Sequence, residues 1–338
     1  MSGFILSVLD QSSVASGRSP AAAVQETLAL ARHVEALGFN RYWCAEHHNS
    51  ASHAGSAPEV LLAAIGATTS RIRIGSAGIM LPHYSPFKVA ETFKLLAALA
   101  PDRIDLGLGR APGTDGRTSD ALQRDRSRRM PVDDFPQNLA EVLAYLGNGL
   151  PEDHPFASLK DTLPTGGGTV EPWLLGSSIE SAAWAAEVGL PYCIADFINS
   201  DGLPQAELYK RHFRPSRWLD KPYLMVASWA IAAPSRAEAE RLAVPARMMF
   251  HHLVRGELIP VPSVEKAENW AATVVDAPQR NRRSILGSPS EVKAQVDEVA
   301  AFYGADEMML VNIMPDHEAR KRKRFSSQGS HATQFFSL

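Results

Sequence analysis

The chain of 338 residues has no excess of positive charge. Lys and Arg number 34 against 37 Asp and Glu, a net charge of -3. A nucleic-acid partner is therefore not expected, because gripping a phosphate backbone takes a cationic surface. Cysteine is scarce: only Cys44 and Cys193 occur, far apart and in apolar runs. A disulfide framework needs more, so two buried free thiols and a reducing, cytoplasmic setting are expected. No apolar run reaches the roughly 18 residues that read as a membrane span. The opening MSGFILSVLD lacks the basic region and long apolar stretch of a secretion signal, so neither export nor a membrane partner is expected. The dinucleotide fingerprint is missing as well. Gly107-Leu108-Gly109-Arg110-Ala111-Pro112 has no third glycine at the right offset and opens a loop rather than a helix.

What is present is ordinary globular composition, 45% hydrophobic and 21% charged, which excludes disorder as the main state. Short apolar runs alternate with helical patterns. Residues 4–10 read as a strand and 20–37 as a helix, then 41–46 and 57–68, 72–81 and 86–99, and 103–110 and 133–146. The second half continues with 171–176 and 178–188, 191–196 and 204–213, 223–233 and 235–251, and closes with helix 289–303 before strand 305–314. The strands are nearly continuous apolar runs, which means burial on both faces, as in a parallel sheet covered by helices. Eight strands and eight helices predict an α/β fold of the (β/α)8 barrel type, with an open doubly wound sheet as the alternative. A single barrel domain over residues 1–315 and a C-terminal tail over 316–338 are expected. Residues 111–131, 147–170 and 253–287 break the repeat and read as insertions, chiefly after the fourth and seventh strands. The tail run Arg320, Lys321, Arg322, Lys323 and Arg324 reads as a solvated end, or as a contact for an anion or partner.

An active site in such a barrel lies at the C-terminal ends of the strands. The second strand ends in Glu46-His47-His48, where side-chain alternation allows only one histidine to face the mouth. An imidazole there suits proton transfer or ligand binding, and it equally suits a supporting role. His47 and His48 with His83, and His53 close by in sequence, also permit a metal-dependent barrel hydrolase. Ser177 and Glu180 have the spacing of a capping box, and the same helix start offers free N–H groups to an anion. Arg110, next to Gly107 and Gly109, offers two donors to a phosphate. Together Arg110 and that helix start make a two-sided phosphate clamp. Gly75-Ser76-Ala77-Gly78 leaves room for something flat against the sheet.

Four stretches carry a resemblance. They are Trp43-Cys44-Ala45-Glu46-His47-His48, Ile74 through Pro82, Arg103 through Gly113, and Trp184 through Pro191. With them the chain resembles the bacterial luciferase-like flavin monooxygenase family, in its alkanal-monooxygenase-like branch. The resemblance implies reduced FMN as cosubstrate, O2, a small organic aldehyde-like substrate, a homodimer, and a separate flavin reductase. It implies that His47 is a catalytic acid or base at the reactive edge of the flavin. It implies a non-prolyl cis peptide at Ala77-Gly78 beneath the ring. Arg110, Ser177, Ser178 and Ser181 fall where the family holds the FMN phosphate, and no metal is implied. Gly109 and Ser177 stand where luciferase proper has a cysteine and a glutamate, so light emission is not implied. The absence of a Gly-x-Gly-x-Gly-Glu string after the fourth strand favours FMN over a deazaflavin. Two other classes stay open, the metal-dependent hydrolase and a flavin binder without turnover.

Overall fold

A computed structural model of the chain describes residues 4–123, 134–164, 166–274 and 282–322. The first half runs β1 (Ile5–Asp10), α1 (Pro20–Ala36), β2 (Arg41–Cys44), α2 (Pro58–Thr68), β3 (Arg73–Ser76), β4 (Ile79–Met80), α3 (Pro86–Leu99) and β5 (Ile104–Gly109). Then come α4 (Gly116–Leu122), α5 (Phe135–Leu146), β6 (Val170–Gly176), α6 (Ile179–Val188), β7 (Tyr192–Ile194) and α7 (Leu203–His212). The chain continues with β8 (Leu224–Ala232), α8 (Arg236–Val254), α9 (Val264–Ala271), β9 (Ile285–Gly287), α10 (Pro289–Tyr303), β10 (Glu307–Val311) and α11 (His317–Arg322).

Strands β1, β2, β3, β5, β6, β7, β8 and β10 pair in parallel in that order, and β10 pairs with both β8 and β1. The sheet therefore closes on itself with helices outside, a (β/α)8 barrel. The helix starts follow from local chemistry. Ser19, Ser178, Ser235, Ser263 and Ser288 each accept a first-turn N–H, and Pro20, Pro58, Pro86 and Pro289 stand where a missing N–H costs nothing. Gly304 ends α10 at φ 57°, a left-handed stop that glycine adopts without strain.

Strand alternation decides what fills the barrel. At the N-terminal end, Arg41 and Arg73 pair with Asp105, Glu171 and Glu307. Above this charged floor lie Leu9, Trp43, Trp173, Cys193, Met225 and Met309. Outward residues such as Val8, Tyr42, Ile74 and Leu106 form the larger core against the helices. Cys44 and Cys193 are free and buried. Among the described residues no helix is long and apolar enough to cross a membrane.

Three expectations need correction. The third strand is not continuous: it stops at Ser76, passes a cis peptide at Ala77-Gly78, and resumes as the two-residue β4 paired to β5. The segments that break the repeat hold elements of their own, α4, α9 and β9, and β9 extends the edge of β8. The tail is not wholly a solvated end. Arg320 on α11 is 2% exposed and its guanidinium donates to Asp10, because a carboxylate buried at the end of β1 needs a counter-charge. Residues 323–338, with Lys323 and Arg324, lie outside the described residues.

Candidate active site

The sequence-selected residues gather at one end of the barrel. His47, Ala77-Gly78, Arg110 and the Ser177–Ser181 turn follow β2, β3, β5 and β6, four strands in succession around the sheet. Arg110 and the start of α6 are next to each other because Leu108 of β5 pairs with Leu174 of β6. The Arg110 guanidinium lies 5.2 Å from the ring centroid of Trp184, on the second turn of α6. The helix cap is shifted one residue from the expected box. Ser178, not Ser177, is the N-cap, and its hydroxyl accepts the Ser181 N–H at 3.3 Å. Ser181 is buried and its hydroxyl is engaged, donating to the Ser178 carbonyl at 2.8 Å and meeting the Tyr192 hydroxyl at 2.9 Å. Gln205 donates to the Ser177 carbonyl at 2.9 Å and holds the turn from α7. Glu180 is exposed; its carboxyl is held low by its own backbone N–H, then by the Ser178 hydroxyl, with Arg110 contributing. A guanidinium thus lies beside the first two turns of a ten-residue helix, whose positive end suits an anion.

Alternation along β2 continues past its end. Arg41, Trp43, Ala45 and His47 share the inward side, while Tyr42, Cys44, Glu46 and His48 share the outward side. His47 Nε2 lies 2.6 Å from Gln11 Oε1, and its ring stacks on His53 with centroids 4.2 Å apart. Burial pushes the His47 imidazole down to about 4; the charge of His48 adds to this, and the Gly113 backbone opposes it. The ring is therefore neutral near pH 7, able to give or take one proton. His48 turns away to Glu46, at 2.7 Å. Glu46 is fully buried, and it also accepts the Met80 N–H and the Tyr84 hydroxyl at 3.1 and 3.0 Å. Burial raises its carboxyl, with those bonds acting against it. His83 meets the Pro112 carbonyl at 2.8 Å. The histidines of the hydrolase alternative therefore serve separate partners. Among the described residues no group of three or more His, Cys, Asp or Glu is placed to hold a metal.

The small residues of the third strand serve the barrel itself more than expected. A Cβ on Gly75 would come within 2.6 Å of Trp43 Nε1 and 2.7 Å of Asp105 Cβ, so that space is already filled. A Cβ on Gly78 would meet the Gly107 carbonyl oxygen at 2.7 Å, and one on Gly107 would meet the Ser76 carbonyl oxygen at 2.1 Å. These glycines let two backbones touch where the strand is interrupted. Gln11 and Trp229 were not selected from the sequence. Inward parity along β1, Ser7-Leu9-Gln11, is the signal that could have found Gln11.

A family model described as luciferase-like monooxygenase matches residues 2–306. The N-acetyl-S-alkylcysteine monooxygenase of Bacillus subtilis is 37% identical over 311 residues, covering 90% of this chain and 91% of that protein. Among solved structures, apo-MsnO8 superposes with a TM-score of 0.85 at 36% identity, covering 95% of both chains. The oxygenating constituent of 3,6-diketocamphane monooxygenase from Pseudomonas putida, a type II Baeyer-Villiger enzyme in complex with FMN, superposes with a TM-score of 0.72. Its identity is 18%, with 95% of both chains covered, so it bears on the fold alone.

Proposed function

The chain belongs to the luciferase-like monooxygenase family, and from that premise we propose that it uses reduced FMN and O2 to oxygenate a small organic, aldehyde-like substrate. The observation that carries this reading is that Arg110 and the start of α6 follow neighbouring strands, with the guanidinium over Trp184 and its charge felt at Glu180. That donor set fits a phosphomonoester: a guanidinium on one side, and on the other the Ser177 hydroxyl and the positive end of α6, where the Ser178 hydroxyl and the Glu180 N–H are already given to the Glu180 carboxylate. The Ser181 hydroxyl, bonded within the chain, supports the turn instead. Ala77-Gly78 and the touching backbones of Gly78 and Gly107 supply a floor close to the sheet. Arg110 after β5, with no Gly-x-Gly-x-Gly-Glu string there, supports FMN.

When bound, reduced FMN supplies the electrons for activating O2. The chain's own residues do the rest. Arg110 and the α6 start would hold the phosphate. His47, neutral and inward, holds or moves a proton at its ring nitrogen. The apolar mouth around Leu175, Phe197 and Trp229 excludes water from the reacting atoms. The name of the Bacillus subtilis relative adds thioethers to the substrates to be assayed. The two unpaired buried thiols support a reducing, cytoplasmic setting. The missing dinucleotide fingerprint supports a separate reductase as the source of reduced flavin. Val60 on α2 and Leu95 and Leu99 on α3 are 65%, 55% and 59% exposed on helices that pack together, which supports a homodimer through that face.

The test is a titration of oxidised and photoreduced FMN, and of the deazaflavin cofactor, against the whole protein, followed by oxygen uptake with aldehydes and thioethers. Reduced FMN should bind, and uptake should depend on substrate. Binding of neither flavin, or binding of the deazaflavin alone, would overturn the proposal.

A further inference from the structure

Gln11 is the first residue past β1, continuing its inward row after Leu9, and it is 5% exposed. Its neighbours leave it little freedom. Asp10 on one side accepts the Ser12 N–H at 3.1 Å, the Thr27 hydroxyl at 2.8 Å, the Tyr42 hydroxyl at 2.6 Å and the guanidinium of Arg320. Ser12 on the other side sits at φ +48°, so the chain turns sharply after Gln11. The amide is thus delivered by a clamped backbone to His47.

We propose that Gln11 is the positioning residue for His47: its carbonyl oxygen, 2.6 Å from Nε2, accepts the ring N–H and so assigns the proton to Nε2 and the lone pair to Nδ1. The purpose of that arrangement rests on the flavin reading, but its geometry does not. An imidazole whose two nitrogens are otherwise equivalent needs one fixed hydrogen bond to define its tautomer. A neutral amide defines it without supplying the negative charge that a carboxylate would add. The other groups around the ring are His53, stacked on it, His48, its chain neighbour, and the Gly113 backbone, which hydrogen-bonds it. Glu46 is turned to the outward side, and Asp10 is paired with Arg320 behind the amide. No carboxylate hydrogen-bonds the ring, so the proton is contested between Gln11, 2.6 Å from Nε2, and the Gly113 backbone, and the short contact assigns it to Gln11.

The test is two-bond proton–nitrogen correlation on the full chain, labelled with 15N-histidine and free of flavin. His47 is identified by the signals lost in His47→Gln. The wild-type protein should show the Nε2–H tautomer. Gln11→Leu should mix the tautomers, and its turnover should fall about tenfold in kcat while the affinity for reduced FMN holds. The isosteric Gln11→Glu should keep Nε2–H and raise the midpoint of His47 by at least one pH unit, moving the pH profile of turnover with it. An Nδ1–H tautomer in the wild-type protein would overturn the proposal, and so would an unchanged tautomer in a folded Gln11→Leu. If Gln11→Leu does not fold, the wild-type spectrum and Gln11→Glu still decide. Since the spectra need no flavin, failure of the flavin reading appears separately, as absent FMN binding with the tautomer intact.

Discussion

Replacing Arg320 by methionine keeps most of the side-chain volume and removes the charge that faces Asp10. Both groups are buried, Arg320 at 2% and Asp10 at 0% exposure. Removing one partner of a buried pair costs about 3–5 kcal/mol, because the other charge is stranded. Here three donors remain on Asp10, from Ser12, Thr27 and Tyr42, so the lower end applies, about 3 kcal/mol. Urea denaturation followed by tryptophan fluorescence at pH 7 measures it. The same pair predicts a pH signature. Burial raises the Asp10 carboxyl, but Arg320 with the Tyr42 and Thr27 hydroxyls outweighs it and brings the group down to about 2 from 3.8. A depressed carboxyl stabilises the fold above pH 3.8 and loses that contribution as the pH falls toward 2. In Arg320→Met the group loses the cation that lowers it and rises from about 2, so acid destabilisation begins at higher pH. Adding Asp10→Asn to Arg320→Met should recover part of the loss, since a neutral amide is cheaper to bury than an unpaired charge. A variant within about 1 kcal/mol of wild type at pH 7, a fraction of the cost expected for a broken buried pair, would refute the argument.

Other outcomes follow from the same structure. Arg110→Ala should weaken reduced FMN by roughly 10- to 100-fold, the loss of one or two charge-assisted hydrogen bonds, and leave riboflavin binding nearly unchanged; equal losses for both flavins in a titration would point away from the phosphate. Gly107→Ala drives a methyl into the Ser76 carbonyl and should cost about 3 kcal/mol or more, seen as a lowered denaturation midpoint or insoluble protein. His47 should titrate near 4 by NMR rather than at 6.5. Its lowered value means that protonation favours the unfolded chain between those two values, so stability should fall as the pH drops from 6.5 toward 4, and His47→Gln should flatten that slope. Changing both Leu95 and Leu99 to Glu should yield a monomer in light scattering if the α2–α3 face joins two copies.

The barrel was legible in the chain because burial on both faces leaves a mark: eight nearly continuous apolar runs separated by helical patterns. Helix starts were legible for a local reason, since serine caps and first-turn prolines act within three residues of themselves. The gathering of His47, Arg110 and the Ser177–Ser181 turn at one end followed as soon as the strands were taken as parallel. The sequence alone could not say which hydroxyl caps α6, because Ser177 and Ser178 are equally able and only the path of the backbone out of β6 selects Ser178. Nor could it say that Gly75 makes room for Trp43, since that contact crosses to the neighbouring strand. Arg320 in a basic run reads as solvated until the fold brings it 310 positions back along the chain to Asp10. The partner of His47 was likewise unreadable: Gln11 is 36 residues away and chemically unremarked in its own neighbourhood. Periodicity and capping are local or one-dimensional and survive in the sequence, whereas pairing of buried polar groups depends on which strand ends closure makes neighbours, and only the tertiary structure decides that.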